Sequence, residues 1–312
     1  MTLIQLEYLV AIADYGHFGK AADACSVTQP SLSMQIQKLE DELGVQLLDR
    51  KKQPTQPTEI GTILVQQARQ ILQSCEKLKA TVDERKNELS GEVRLGVIPT
   101  IAPYLVPLFL TRFLKKYKDI RLKISEQTTE SIIEKLKNGQ LDIGLMAIPT
   151  QDSLLREYPL FYEELVVYVS PGNALYRKKY ALSEELDASD LWLLEEGHCL
   201  RSQIEHLCQL RRQSAEIHQI EYKAGSLETL KKMVNTSGGM TILPELATQD
   251  FTEDQLELVR YFHEPAPVRE VGLVTNQNYL KEKIVSALTT EIQRVVPPKM
   301  LRVKDRSVIT IS

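Results

Sequence analysis

"FGKAADACSVTQPSLSMQIQKLEDEL", residues 18–43, decides how the chain begins to fold. Lys20 to Cys25 read as a short helix in which Ala21, Ala22 and Ala24 are small enough for another helix to cross closely. Ser26-Val27 turn the chain. Thr28 is a candidate N-cap, and Pro30 stands where a first helical turn tolerates a missing N–H. Leu32, Ile36, Leu39 and Leu43 then recur at helical spacing and form a core stripe. Gln29, Ser31, Ser33, Met34, Gln35 and Lys38 are left facing outward. A helix, a tight turn and a second helix with polar residues at its N-terminal end are what a helix-turn-helix needs to read a major groove.

Working outward, residues 1–23 carry no basic residue before Lys20, and Leu6, Leu9, Val10 and Ala13 recur at helical spacing. An amphipathic helix is expected rather than a secretion signal, and with it a cytoplasmic protein. In that reducing compartment any disulfide would be transient and redox-linked. After the motif, "GVQLLDRKKQPTQPTEIG" (44–61) places two short apolar pieces around Arg50, Lys51 and Lys52, the pattern of a β-wing beside phosphates. Gln29 and Gln35 suit adenine edges, Ser31 and Ser33 a base or a phosphate, and Arg50 to Lys52 phosphates. Each of these polar residues also fits plain solvation of a helix. Glu40, Asp41 and Glu42 are expected toward the far end of the recognition helix, away from the groove. Lys and Arg number 38 against 42 Asp and Glu, a net charge of −4. DNA binding must then rest on a local patch and on a dimer that sums two half-sites.

Residues 58–89 form a proline-free helical run in which Leu64, Ala68, Ile71, Cys75, Leu78 and Val82 make a heptad seam for a partner helix. Cys75 on the seam and Cys25 in the motif read as small buried apolar residues. Beyond "NELSGE" (87–92), strand and helix alternate: "VRLGVI", a helix through "YLVPLFLTRFLKKY", "IRLKISEQ", a helix through "SIIEKLKNG", then "LDIGLMAI". "ELVVYVS" starts a second, similar set with "LWLLEEG", a helix around Leu200 to Leu210, "EIHQIEYKAG", a helix at "SLETLKKMV" and "MTILPEL". "REVGLVTN" and the helix "YLKEKIVSALTTEIQRV" close it. This alternation predicts a parallel sheet with helices on both faces, folded as two α/β lobes around a cleft. A length of 312 residues suits two or three domains. The expected division is 1–57, 58–89 and 90–312, with lobe I about 90–163 and 267–300 and lobe II about 164–266. No apolar run of about 18 residues exists to span a membrane. The tail at 297–312 carries no functional signal.

Two of the four cysteines stand in "GHCLRSQIEHLC", residues 197–208. Buried filler, half a metal site, or reactive thiols all fit that composition. Zinc from His198, Cys199, His206 and Cys208 is disfavoured, because His206 and Cys208 on one helix point about 200° apart. A reactive Cys199 would lie at a helix N-terminus, where backbone N–H groups favour an anion, with His198 and Arg201 as nearby donors.

Residues 21–50 closely resemble the winged helix-turn-helix of the LysR-type transcriptional regulators. The remainder looks like that family's two-lobed, periplasmic-binding-protein-like effector domain, so the resemblance covers nearly the whole chain. "LLEEGHCLRSQIEHLC" (193–208) is similar to the redox segment of the family's hydrogen-peroxide-sensing members, as are "GVIPTIAPYLVP" (96–107) and "SLETLKKMVNTSGGMTILP" (226–244). The resemblance implies an activator of peroxide-defence genes, with Cys199 as the peroxidatic and Cys208 as the resolving thiol. Thr100, Thr129, His198 and Arg269 match pocket positions. Promoter DNA, RNA polymerase and a resetting thiol reductant are the implied partners, the assembly a homodimer through the linker helix and a homotetramer, with no cofactor or metal. Ser202 replaces an aspartate usual in those members, so no carboxylate role carries over. A disulfide needs Cα atoms about 4.4–6.8 Å apart, whereas nine helical positions span about 13 Å, so forming it must unwind the helix between the thiols. Two rivals remain: a LysR-type regulator sensing an organic metabolite in its cleft with incidental cysteines, and a thiol peroxidase, against which the DNA-reading motif argues.

Overall fold

The computed structural model describes residues 1–86, 89–207, 224–302 and 307–308. The chain divides into two compact units, Met1–Glu88 and Leu89–Ser312.

In the first unit, α1 (Leu3–Tyr15) starts on a capping box between Thr2 and Gln5 and stops at Gly16, φ +60°, a left-handed conformation that glycine adopts without strain. Helix α2 (Phe18–Ala24) is capped by the His17 ring, which accepts from the Gly19 and Lys20 N–H groups. Helix α3 (Gln29–Leu43) carries Pro30 in its first turn, and Thr28 stands at its N-cap without a side-chain bond. Strands β1 (Leu48–Asp49) and β2 (Gln56–Pro57) pair antiparallel as the wing, and α4 (Glu59–Lys86) follows. Leu9, Ile12, Ala21, Ala22, Leu32, Ile36, Leu39, Leu47 and Val65 share one core. A Cβ on Gly61 would lie 1.9 Å from the Leu47 carbonyl oxygen, so only glycine lets α4 pass the wing so closely.

Four expectations need correction here. Leu43 is exposed, because it ends α3 just before the chain turns away at Gly44. Ala24 is also exposed, since the close crossing uses only Ala21 and Ala22. Cys25 is half-buried rather than buried. On α4, Ala68 is buried and Leu64 packs on the unit's own core, and Arg69 pairs with Asp14 on α1. The first two seam positions therefore serve the intramolecular core. Ile71 and Leu78 are exposed and Cys75 is half-buried, while the Val82 side chain lies outside the described residues.

In the second unit, β3 (Gly91–Val97), α5 (Ala102–Lys116), β4 (Ile120–Glu126), α6 (Thr129–Lys137) and β5 (Ile143–Ile148) build lobe I on parallel pairs β4–β3 and β3–β5. Strand β6 (Leu155–Val169) runs on into lobe II, followed by β7 (Tyr180–Ala181), α7 (Cys199–Leu207), α8 (Leu227–Ser237), β8 (Met240–Pro244), α9 (Glu253–Leu256) and β9 (Val259–Phe262). Strand β10 (Pro267–Asn276) returns antiparallel between β5 and β6, then come α10 (Glu282–Val295) and β11 (Ser307–Val308). "ELVVYVS" is therefore the far half of one crossing strand, not a new start. Lobe II pairs β6 antiparallel with β8 and β9, unlike the parallel copy expected. "LWLLEEG" forms only isolated bridges, Leu191 to Met240 and Leu194 to Ala224, around an indole that donates to the Gly238 carbonyl. Two cores result, one per lobe. Among the described residues no helix is long and apolar enough to cross a membrane.

Candidate functional site

Helix α7 lies where the two cores of the second unit meet. Leu200, Ile204 and Leu207 recur at helical spacing and pack into the lobe II core. Cys199, about 100° round the helix from Leu200, joins the lobe I core instead, 5% exposed. Gly197, at φ +90°, makes the turn that delivers His198 and Cys199 into this position; a side chain there would be strained. Cys208 and residues 208–223, including most of "EIHQIEYKAG", lie outside the described residues.

Burial pushes the Cys199 thiol up. The Thr129 hydroxyl, the Arg269 guanidinium and the first-turn N–H groups of α7 pull it back without cancelling that effect. The resting site thus holds a thiol whose anion is stabilised on demand. Thr129, at the first turn of α6, buries a hydroxyl that makes no well-formed hydrogen bond among the described residues. Thr100 is also buried; its Oγ1 accepts from Arg269 Nη1 at 2.9 Å and its carbonyl from Nη2 at 3.1 Å. The structure therefore brings Thr129 and Arg269 to the thiol, and Thr100 to Arg269. His198 is buried beside Cys199 in sequence, and its ring lies 3.9 Å from Glu195 Oε1. Burial lowers its pKa more than Glu195 raises it, so the ring favours the neutral form. Arg201 is turned away: Nε donates to Glu205 at 2.8 Å and Nη1 to the Leu194 carbonyl at 2.9 Å.

Glu163 escaped the sequence reading. It is fully buried on β6, directly opposite Arg269 on β10. Its signal was an acid on the same strand face as Phe161 and Leu165, both buried. Tyr104 on α5, which donates to Glu228 on α8 at 2.8 Å, was missed too; it ties one lobe to the other.

In the first unit, Thr28, Gln29, Pro30, Lys51 and Lys52 are exposed, and Ser31, Ser33 and Gln35 half-buried. Gln35 accepts from Gln5 Nε2 at 3.3 Å. Arg50 Nη2 pairs with Glu40 Oε2 at 2.8 Å, and its guanidinium sits over the Phe18 ring. Glu40 is a buried structural acceptor for the Leu47 and Leu48 N–H groups, not a bystander at the helix end. Lys51 and Lys52 are consequently the more available cations of the wing.

Residues 3–62 match the family of bacterial regulatory helix-turn-helix proteins of lysR type, and residues 86–297 match the LysR substrate binding domain. The chain is 34% identical over 304 residues to a hydrogen peroxide-inducible genes activator of Haemophilus influenzae, covering 95% of this chain and 99% of that protein. It is 36% identical over 276 residues to the DNA-binding transcriptional dual regulator OxyR of Escherichia coli, covering 88% and 89%. A solved full-length OxyR variant from Pseudomonas aeruginosa superposes with a TM-score of 0.79 at 31% identity, covering 95% of this chain and 99% of that one. With a DNA-reading module and an effector module matched in order along most of its length, this chain belongs to the LysR family of transcriptional regulators.

Proposed function

We propose that this regulator senses hydrogen peroxide through Cys199 and acts on promoter DNA through α3 and the wing. One observation carries the sensing half: a buried thiol at a helix N-terminus has beside it a cationic guanidinium and a buried hydroxyl that makes no well-formed hydrogen bond among the described residues. Such a hydroxyl suits a small polar molecule with two donors and two acceptors. The names of the relatives point the same way. Cys199 thiolate attacks one peroxide oxygen, the O–O bond breaks, and the leaving hydroxide takes a proton to become water; sulfur is oxidised to a sulfenic acid. Arg269 and the α7 N–H groups stabilise the anion, Thr100 and Thr129 position the oxygens, and neutral His198 offers a further polar contact.

Cys208 then resolves the sulfenic acid as a disulfide, releasing a second water, and a cellular thiol reductant resets the pair in the cytoplasm. Thr28 to Gln35 read the groove, and Arg50, Lys51 and Lys52 hold the backbone. In this reading residues 1–57 bind DNA, 58–89 pair two chains through the exposed end of the seam, and 90–312 sense. The protein works as a homotetramer that recruits RNA polymerase. The test is mass spectrometry of the peptide spanning Cys199 and Cys208 after brief exposure to stoichiometric peroxide, with Cys199→Ser as control. Loss of two hydrogens only in the wild type supports the reading. Thiols that stay reduced in both would return the cleft to a metabolite sensor.

A further inference from the structure

The Glu163 carboxylate stands at the junction of three segments. Arg269 reaches its Oε2 at 2.7 Å from both Nε and Nη2, and the Leu246 N–H reaches Oε1 at 2.8 Å. Both side chains of the pair are fully buried. An arginine keeps its proton in a protein, so this cation has no neutral form to retreat to, and an unpaired guanidinium here would be costly. The same guanidinium holds the Thr100 hydroxyl through Nη1 and the Thr100 carbonyl through Nη2. A planar fork gripped on one edge by a carboxylate and on the other by Thr100 has no rotational freedom left.

We infer that Glu163 is a positioning residue for the peroxide reaction: it fixes the orientation of Arg269 toward the Cys199 site and offsets its charge while the site rests. The inference depends on the peroxide reading of Cys199. It adds to burial, which already keeps the thiol protonated, by offsetting the Arg269 charge that pulls the other way. The charged and titratable groups around Cys199 and the Arg269–Glu163 pair are His198 on the Cys199 segment, Glu195 before it, Arg269 on β10, Glu163 on β6, Tyr104 on α5 with its partner Glu228 on α8, and Glu245 after β8 with its partner Lys299. Of these, Glu163 alone bonds the guanidinium directly. Anchoring by the Leu246 N–H keeps the carboxylate in place from a third segment.

Charge and orientation separate in a pH profile of Cys199 oxidation by peroxide, read alongside thiolate absorbance. Removing the negative charge in Glu163→Gln should favour the Cys199 anion and move the titration midpoint down by about one pH unit. Above both midpoints the thiolate is complete in either protein, so only orientation is read. There the variant should react about a hundredfold more slowly. A purely structural defect would lower the rate without moving the midpoint downward. If Glu163→Gln does not fold, Arg269→Met is compared with the double variant Glu163→Gln/Arg269→Met, a pair of apolar or neutral side chains that buried sites tolerate. Once the guanidinium is gone there is no orientation left to lose, so removing the carboxylate should cost no further rate. A wild-type midpoint and rate in Glu163→Gln, or a further loss of rate in the double variant, would overturn the inference. A wild-type protein inert to peroxide would instead sink the sensing reading itself.

Discussion

Thr129 buries a hydroxyl without a good partner beside Cys199, at the junction of the lobes. Thr129→Val keeps the shape and loses the hydroxyl. Because no well-formed hydrogen bond is broken, stability should stay within about 1 kcal/mol of wild type. The peroxide rate should fall about a hundredfold, as for removal of one preorganised donor. Stopped-flow oxidation and thermal melts read both; a variant that melts early yet reacts normally would reverse the assignment. Cys199 itself carries a pH signature. Its folded-state pKa is raised, burial being the main cause, so the folded protein binds that proton more tightly than the unfolded chain. The stability this contributes is complete below the unfolded value of about 8.5 and is lost as pH rises through the folded value. Wild type should therefore lose stability above that pH more steeply than Cys199→Ser. Parallel curves in urea titrations would rule this out.

The sensing helix α7 is held by its two faces in different cores. Leu200 and Ile204 are almost wholly buried, and burial of two such side chains is worth about 3–6 kcal/mol. Any rearrangement that brings Cys199 to a thiol beyond the end of α7 must overcome that sum. Leu200→Ala should weaken the docking by about 2 kcal/mol or more, equal to roughly thirtyfold more frequent opening. Hydrogen exchange across 199–207 should rise accordingly, and alkylation of reduced Cys199 should quicken. Unchanged exchange would show that something else pins the helix. Helix α4 divides in the same manner. Its first turns pack on α1 and the wing, whereas Ile71 and Leu78 are exposed, and in the proposed assembly a partner helix covers them. Leu78→Asp is expected to shift sedimentation from dimer toward monomer at micromolar concentration while each unit keeps its circular dichroism. A persisting dimer would place the interface elsewhere.

Across the whole molecule, a DNA-reading unit and a sensing unit share one chain whose net charge is −4. Affinity for DNA therefore depends on few cations. Arg50 is partly committed to Glu40, so Lys51 is the clearest candidate phosphate ligand. Lys51→Ala should lower binding to operator and random DNA alike and reduce the slope of log affinity against log salt by about one. Gln29→Ala should leave that slope alone and relax discrimination at one base position. Equal effects of the two changes on both DNAs would dissolve the distinction between positioning and reading.

Features that depend on neighbours in sequence were legible without a structure. Periodicity marked α1, α3 and α4, the turn at Ser26-Val27 separated the motif helices, and a helix was expected around Leu200 to Leu210. Fold class followed, since alternating strands and helices admit few arrangements. The errors came where a pattern met its surroundings: Leu43 continued the stripe of α3 past the edge of the core, and Leu64 and Ala68 suited an intramolecular neighbour as well as a partner chain. The site's electrostatics were settled only by tertiary structure. Arg269 lies 106 positions from Glu163 and 169 from Thr100, and no local preference encodes which residues face one another across β6 and β10. Strand register makes that choice, because burying an arginine on one strand is tolerable only where the opposite strand supplies its carboxylate. Whether adjacent Cys199 and Leu200 enter one core or two was likewise undetermined until the lobes closed around α7.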